Sequence, residues 1–309
     1  MALLEIPADE LQTLRDWVRW SASIFEAHGL FFGHGTDNAL DEALELVLAT
    51  LHLDHSLPEG FLDARITRAE AVELARRLRR RVEERVPLAY ITGRAWFAGL
   101  EFAVNEQVLI PRSPIAELIE ARFAPWLDAD HVRSVLDLCC GSGCIGIACA
   151  HAFPEALVDL SDISPAALEV AQRNIERYRL EDRVRAVQSD LFAHLEGERY
   201  DLIVSNPPYV STEEMAELPP EYLHEPRLGL EAGEDGMDVV ARILAGSPEH
   251  LTEGGILVCE VGASADLLMA RYPDVPFLWL DFERGGDGVF LLTADQLAEF
   301  HDLFVEEES

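Results

Sequence analysis

The chain has 309 residues, 49% of them hydrophobic, more than one ordinary domain needs and enough for a packed core. Its formal net charge is −33, from 57 acidic and 24 basic residues, and every basic residue is arginine. No apolar run has the length of a membrane span, and Met1-Ala2-Leu3-Leu4-Glu5 lacks the basic flank of a secretory leader, so a soluble cytoplasmic protein is predicted.

Two accounts of the acid excess compete. A basic substrate could be steered by an acidic field, or the whole surface could be adapted to high internal salt. The acids are spread along the chain and lysine is absent, which favours the second. Such a field opposes a nucleic-acid backbone, so no direct DNA binding is expected, and no membrane partner either. The cysteines are Cys139, Cys140, Cys144, Cys149 and Cys259. An odd number crowded into one stretch without a CxxC pair predicts small buried hydrophobes, with no disulfide framework and no metal site.

Residues 1–87 read as a helical domain. Leu11, Leu14, Trp17, Val18, Trp20 and Ile24 recur at helical spacing within 10–28. Thr36-Asp37-Asn38 caps a second helix, and a third covers about 68–85. The basic run over 76–85 reads as a solvated helix face balanced by Glu73, Glu83 and Glu84, not as a nucleic-acid patch. Residues 88–112 predict a β-hairpin linker with a glycine turn. From 113 to 309 strands alternate with helices. Strands are expected at 134–138, 157–162, 183–188, 202–205 and 255–261, then near 277–280 and 289–292 as a hairpin. That order predicts an α/β fold with a mostly parallel sheet covered on both faces.

Two segments carry chemistry. Val135-Leu136-Asp137-Leu138-Cys139-Cys140-Gly141-Ser142-Gly143 is a strand running into a glycine turn and a helix start, where free N–H groups suit an anion. The next strand ends in Asp162, placed for a ribose diol; Asp159 on the same strand reads as structural. Asp190-Leu191-Phe192 suits an adenine: an acceptor for the amino group beside apolar side chains. A nucleoside joined to an amino-acid carboxylate describes S-adenosylmethionine better than a nicotinamide dinucleotide. These elements alone leave a Rossmann dehydrogenase open.

The second segment is Asn206-Pro207-Pro208-Tyr209, after the apolar strand Leu202-Ile203-Val204-Ser205. Each proline has a fixed φ and no N–H, and each restricts the residue before it, so the segment is stiff and its carbonyls are free to accept. Methylation of a planar NH₂ needs that: the Asn206 side-chain oxygen and the Pro207 carbonyl accept its two N–H bonds, orient the nitrogen and stabilise charge developing on it. Tyr209 can stack on the planar group.

At this point the chain resembles, over nearly its full length, the class I methyltransferases that modify glutamine side-chain amides in translation proteins. The tetrapeptide is shared with DNA adenine methyltransferases. The flanks 108–115, His224-Glu225-Pro226-Arg227-Leu228-Gly229-Leu230 and Gly233-Glu234-Asp235-Gly236-Met237 are similar to the glutamine group. One branch acts on peptide-chain release factors, the other on the third protein of the large ribosomal subunit. Phe32-Gly33-His34-Gly35-Thr36-Asp37-Asn38, Arg112-Ser113-Pro114-Ile115, 221–226 and 282–293 resemble the second. The resemblance implies a Rossmann-like domain with a seven-stranded sheet and S-adenosylmethionine as methyl donor. Carried over by position, it puts Cys139, Cys140, Gly141, Ser142, Gly143, Asp162, Asp190, Leu191 and Asn206 at the cofactor. It puts Asn206, Pro207, Pro208 and Tyr209 on the glutamine amide, and Glu225-Pro226 with the following loop over the site. The expected partner is a large-subunit ribosomal protein, chosen by the N-terminal domain. The rival readings are a release-factor enzyme, a DNA adenine methyltransferase and a non-catalytic cofactor-binding or ribosome-assembly module.

Overall fold

The structure, a computed structural model, describes residues 4–233 and 236–305. Residues 1–3, the pair Glu234 and Asp235, and the acidic tail 306–309 lie outside the described residues. The chain divides into two compact units: residues up to Ala95 together with Leu218–His224, and Trp96–Glu217 together with Glu225–Ser309.

The first unit is helical: α1 (Leu14–Ala27), α2 (Ala39–Thr50), α3 (Arg68–Val82) and the short α4 (Leu88–Thr92). Local chemistry sets the starts. The Thr13 hydroxyl accepts the Asp16 N–H while the Asp16 carboxylate accepts the Thr13 N–H, and Thr67 with Glu70 repeats the arrangement on α3. Asn38 caps α2, as expected. Trp17 is fully buried, with its indole N–H donated to the Leu11 carbonyl at 3.1 Å.

The arginine run is only partly a solvated face. Arg76 and Arg77 pair with Glu73 at 2.7 Å, but Arg81 is 1% exposed. It bonds Glu42, Glu221 at 3.1 Å and the Phe31 carbonyl at 2.8 Å. A buried guanidinium needs acceptors all round its fork. Part of that set comes from 218–224, a piece of sequence far along the chain. Residues 88–92 are helical where the sequence predicts a strand. Pro87 starts the turn, Leu88, Ala89, Tyr90 and Ile91 are all buried with no alternation, and Gly93 ends it at φ +73°. The hairpin is therefore shorter, β1 (Arg94–Phe97) and β2 (Leu100–Ala103), turning at Ala98 and Gly99 with positive φ at both.

The second unit runs α5 (Ile115–Glu120), β3 (Ser134–Leu138), α6 (Cys144–Ala152), β4 (Leu157–Asp162), α7 (Pro165–Tyr178), β5 (Val184–Gln188) and β6 (Tyr200–Ser205). It continues with α8 (Asp238–His250), β7 (Leu251–Glu260), α9 (Ala265–Arg271), β8 (Leu278–Trp279), β9 (Val289–Thr293), α10 (Ala294–Glu299) and α11 (His301–Val305). The strands form one seven-stranded sheet in the order β5-β4-β3-β6-β7-β9-β8. Five are parallel; β9 is antiparallel to β7 and to β8, the expected terminal hairpin. Alternate residues feed two cores. Val135, Leu202, Val204, Ile256 and Val258 face one with α5, α6 and α7, while Leu136, Ile203, Leu257 and Cys259 face the other with α8 to α11. Asp159 is locked within the sheet: Arg185 holds both its oxygens, at 2.5 and 2.7 Å, and the Tyr200 hydroxyl donates to it at 2.7 Å.

Strand order reverses beside β3. β4 leaves on one side and β6 on the other, so the carboxyl ends of these three strands open a crevice.

Candidate active site

The glycine turn leaves β3 with the backbone of Cys139 at φ +59°, Gly141 at +53° and Gly143 at +76°. It is held from three sides. Cys140 N–H donates to the Ser161 carbonyl at 3.0 Å, Gly141 N–H to Asp162 Oδ2 at 2.9 Å, and Gly143 N–H to the Cys140 carbonyl at 2.8 Å. Asn174, fully buried on α7, donates to the Ser142 carbonyl at 2.9 Å and exchanges bonds with the backbone of Ala103, so it ties the turn to β2. A Cβ at Gly143 would lie 2.8 Å from Leu160 Cδ1, so this glycine is needed for space as well as for φ.

Beneath the turn, Asp137 is buried and its Oδ2 accepts the Gly146 N–H at 2.7 Å. Burial pushes its carboxyl up to about 8, with the Gly146 bond pulling the other way. Asp137 Oδ1 has no hydrogen-bond partner among the described residues. Asp162 accepts Gly141 N–H through one oxygen and Ser164 N–H, at 2.8 Å, through the other. Burial still raises it. Each of its oxygens keeps a lone pair for a ligand hydroxyl.

The turn residues 139–142 and Asp162 border a cavity of about 520 Å³, a size suited to a nucleoside-sized ligand. Of the sequence-predicted site residues, Cys139, Cys140, Gly141, Ser142, Asp162, Asp190, Leu191, Asn206 and Pro208 lie on its wall. Gly143, Pro207 and Tyr209 do not: Gly143 caps α6, Pro207 is buried, and Tyr209 sends its hydroxyl to Glu260 at 3.1 Å. Asp190 Oδ1 accepts from Arg242 on α8 at 2.9 Å, which leaves Oδ2 for a ligand amino group.

The opposite wall comes from 107–113 and from 226–229. Arg112 and Glu225 join these two segments by parallel bonds of 2.6 and 2.8 Å, and Ile110 N–H adds a third to Glu225 at 3.0 Å. Sequence reasoning assigned no role to Asp137, Arg242 or Glu260. The only signal available was an acid inside an apolar strand, at Asp137 and Glu260. Cys140, Cys144, Cys149 and Cys259 are buried and Cys139 is half-buried, all as free thiols. Burial raises each thiol, which makes these sulfurs poor nucleophiles.

A family model described as the methyltransferase small domain matches residues 121–223. A curated relative from Francisella tularensis, named ribosomal protein uL3 glutamine methyltransferase, is 49% identical over 297 residues, covering 96% of this chain and 95% of the relative. Another of that name, from Xanthomonas campestris, is 51% identical and covers 94% of each chain. The chain belongs to the uL3 glutamine methyltransferase family. The resemblance to the ribosomal-protein branch is borne out, and the seven-stranded sheet is the fold expected of a class I methyltransferase. Among solved structures, the hMettl16 catalytic domain bound to a 3′UTR hairpin matches with a TM-score of 0.50 and 18% identity over 74% of this chain and 81% of its own. At that identity it speaks for this chain's fold alone.

Proposed function

We propose that this chain transfers a methyl group from S-adenosylmethionine to the side-chain nitrogen of a glutamine in ribosomal protein uL3, in the cytoplasm. The observation that carries this reading is that Asn206 stands on the wall of the same cavity as Cys139, Gly141, Ser142 and Asp162. Methyl donor and acceptor amide can therefore meet at one place.

The residues present fit the cofactor. Asp162 offers two preorganised oxygens to a ribose diol, and Asp190 offers one beside the apolar Leu191. When bound, S-adenosylmethionine supplies an electrophilic methyl group on a sulfonium. Asn206 Oδ1 and the Pro207 carbonyl accept the two N–H bonds of the glutamine amide. This holds the nitrogen in line and favours the charge that develops on it. Tyr209 packs on the planar amide. No side-chain nucleophile and no strong base is required.

The test offers labelled cofactor to purified uL3, a release factor and DNA separately, with wild type and Asn206→Ala. Label is expected in uL3 alone. The variant is expected to lose on the order of 10²–10³-fold in kcat while still binding S-adenosylhomocysteine. Label in release factor instead of uL3 would overturn the substrate, and full activity in Asn206→Ala would overturn the mechanism.

A further inference from the structure

Tyr209 is gripped at three points by one short segment that stands outside the cavity wall. Its hydroxyl donates to Glu260 Oε1 at 3.1 Å, at the end of β7. Its ring lies against bare backbone: a Cβ at Gly262 would sit 2.7 Å from Tyr209 Cε2 and 3.0 Å from Cζ. Its carbonyl accepts from Ser264 Oγ at 3.1 Å.

Glu260 is itself held. It is 6% exposed, and its Oε2 accepts from Ser113 Oγ at 2.6 Å. Ser113 Oγ in turn accepts the Ile115 N–H at 3.2 Å, which directs the hydroxyl proton to Glu260. Each carboxyl oxygen thus accepts one hydroxyl, an arrangement that suits an ionised carboxylate. Burial pushes Glu260 up, while Ser113, Tyr209 and the charge of Arg112 pull it down and Asp287 opposes them. A buried carboxylate of this kind is costly unless hydrogen bonds and a nearby counter-charge offset its desolvation.

We propose that Glu260 is a positioning residue for the methyl transfer, acting through the Tyr209 hydroxyl to fix the angle of the Tyr209 ring. This rests on Tyr209 packing on the glutamine amide, as proposed above. Ser113 sets the carboxylate and Gly262 leaves room for the ring. A tilt of the ring misplaces the amide, and a displacement near 1 Å costs up to about 10²-fold in rate.

The experiment is a double-mutant cycle on the full chain with uL3: wild type, Tyr209→Phe, Glu260→Gln and the double variant, with Tyr209→Leu as a separate arm. Single-turnover rate, affinity for S-adenosylhomocysteine and Tm are read for each. Glu260→Gln keeps the volume and is expected to lower the rate about tenfold, with cofactor affinity within about twofold of wild type. The double variant is expected to be no slower than the slower single one, because both act on the same bond: Phe removes it, and the neutral Gln oxygen accepts it more weakly. Rate losses that multiply in the double variant, or a Glu260→Gln enzyme as fast as wild type, would overturn the role of Glu260. A Tyr209→Leu enzyme at full speed would instead overturn the reading of Tyr209 itself. If Glu260→Gln lowers Tm, the cycle still decides, since a purely structural loss persists in the Tyr209→Phe background.

Discussion

Arg112 holds Glu225 in a two-pronged grip, Nη1 to Oε1 at 2.6 Å and Nη2 to Oε2 at 2.8 Å, and the Glu225 side chain is fully buried. The pair joins the 107–113 wall of the cavity to the loop 226–229. Arg112→Met leaves a buried carboxylate without its counter-charge, at a cost of about 3–5 kcal/mol. The expected outcome is a lower Tm together with weaker cofactor binding, and faster proteolysis near 226–229. Calorimetry and limited digestion check it. A variant with unchanged Tm and cofactor affinity would mean that the grip does not shape the wall.

The two glycines of the turn should separate stability from binding. Gly141 has φ +53° and no atom within 4 Å of the place a Cβ would take, so Gly141→Ala carries only the backbone cost, about 1–2 kcal/mol. That methyl would project from a residue on the cavity wall, so cofactor affinity should fall more than Tm suggests. Gly143→Ala adds a collision with Leu160, about 1–3 kcal/mol more. Its Tm should be the lower of the two. The reverse order of Tm values would contradict close packing of Leu160 on Gly143.

Periodicity carried the fold: β3 and β4 occupy the expected residues because each is a short apolar run bounded by turn chemistry. It failed at 88–92, where a fully buried run of residues has no period to read. Local motifs carried the cavity's glycine turn, Asp162 and Asn206. They were silent about Arg81, which looks on paper like any other arginine of its helix but is buried among Glu42, Glu221 and the Phe31 carbonyl. Glu260 was silent for the same reason. Its partners Ser113 and Tyr209 lie 147 and 51 residues away in sequence, and no local spacing encodes such a pairing.

The charge predicts a salt response. With 57 acids against 24 arginines, most carboxylates lack a cation to pair with, so repulsion outweighs attraction on the folded surface. The screening length falls from about 10 Å at 0.1 M salt to about 3 Å at 1 M. Tm is expected to rise as potassium chloride is raised through that range, although exposed pairs such as Arg15 with Asp63 weaken. A flat or falling Tm would contradict adaptation to high salt.

Asp137 gives a pH dependence of definite sign. Its carboxyl sits at about 8 in the folded chain because it is buried, with Gly146 opposing the shift and the charge of Asp162 adding to it. Unfolded, it ionises at about pH 3.9. Between those values the folded chain keeps a proton that the unfolded chain has released. Stability from this group is therefore lost as pH rises from about 4 to about 8, and the loss stops once both states are ionised. The slope cannot exceed about 1.4 kcal/mol per pH unit. Asp137→Asn removes it, so wild type should lose stability relative to the variant between about pH 5 and pH 8. Asp162 and Glu260 are also raised by burial and act with the same sign, but both remain in each protein; Glu260 cancels in the difference, and Asp162 leaves only its coupling to Asp137, which belongs to the Asp137 effect. Denaturant titrations of the two proteins across that window decide the matter: parallel curves would show that Asp137 ionises in the folded chain as it does in water.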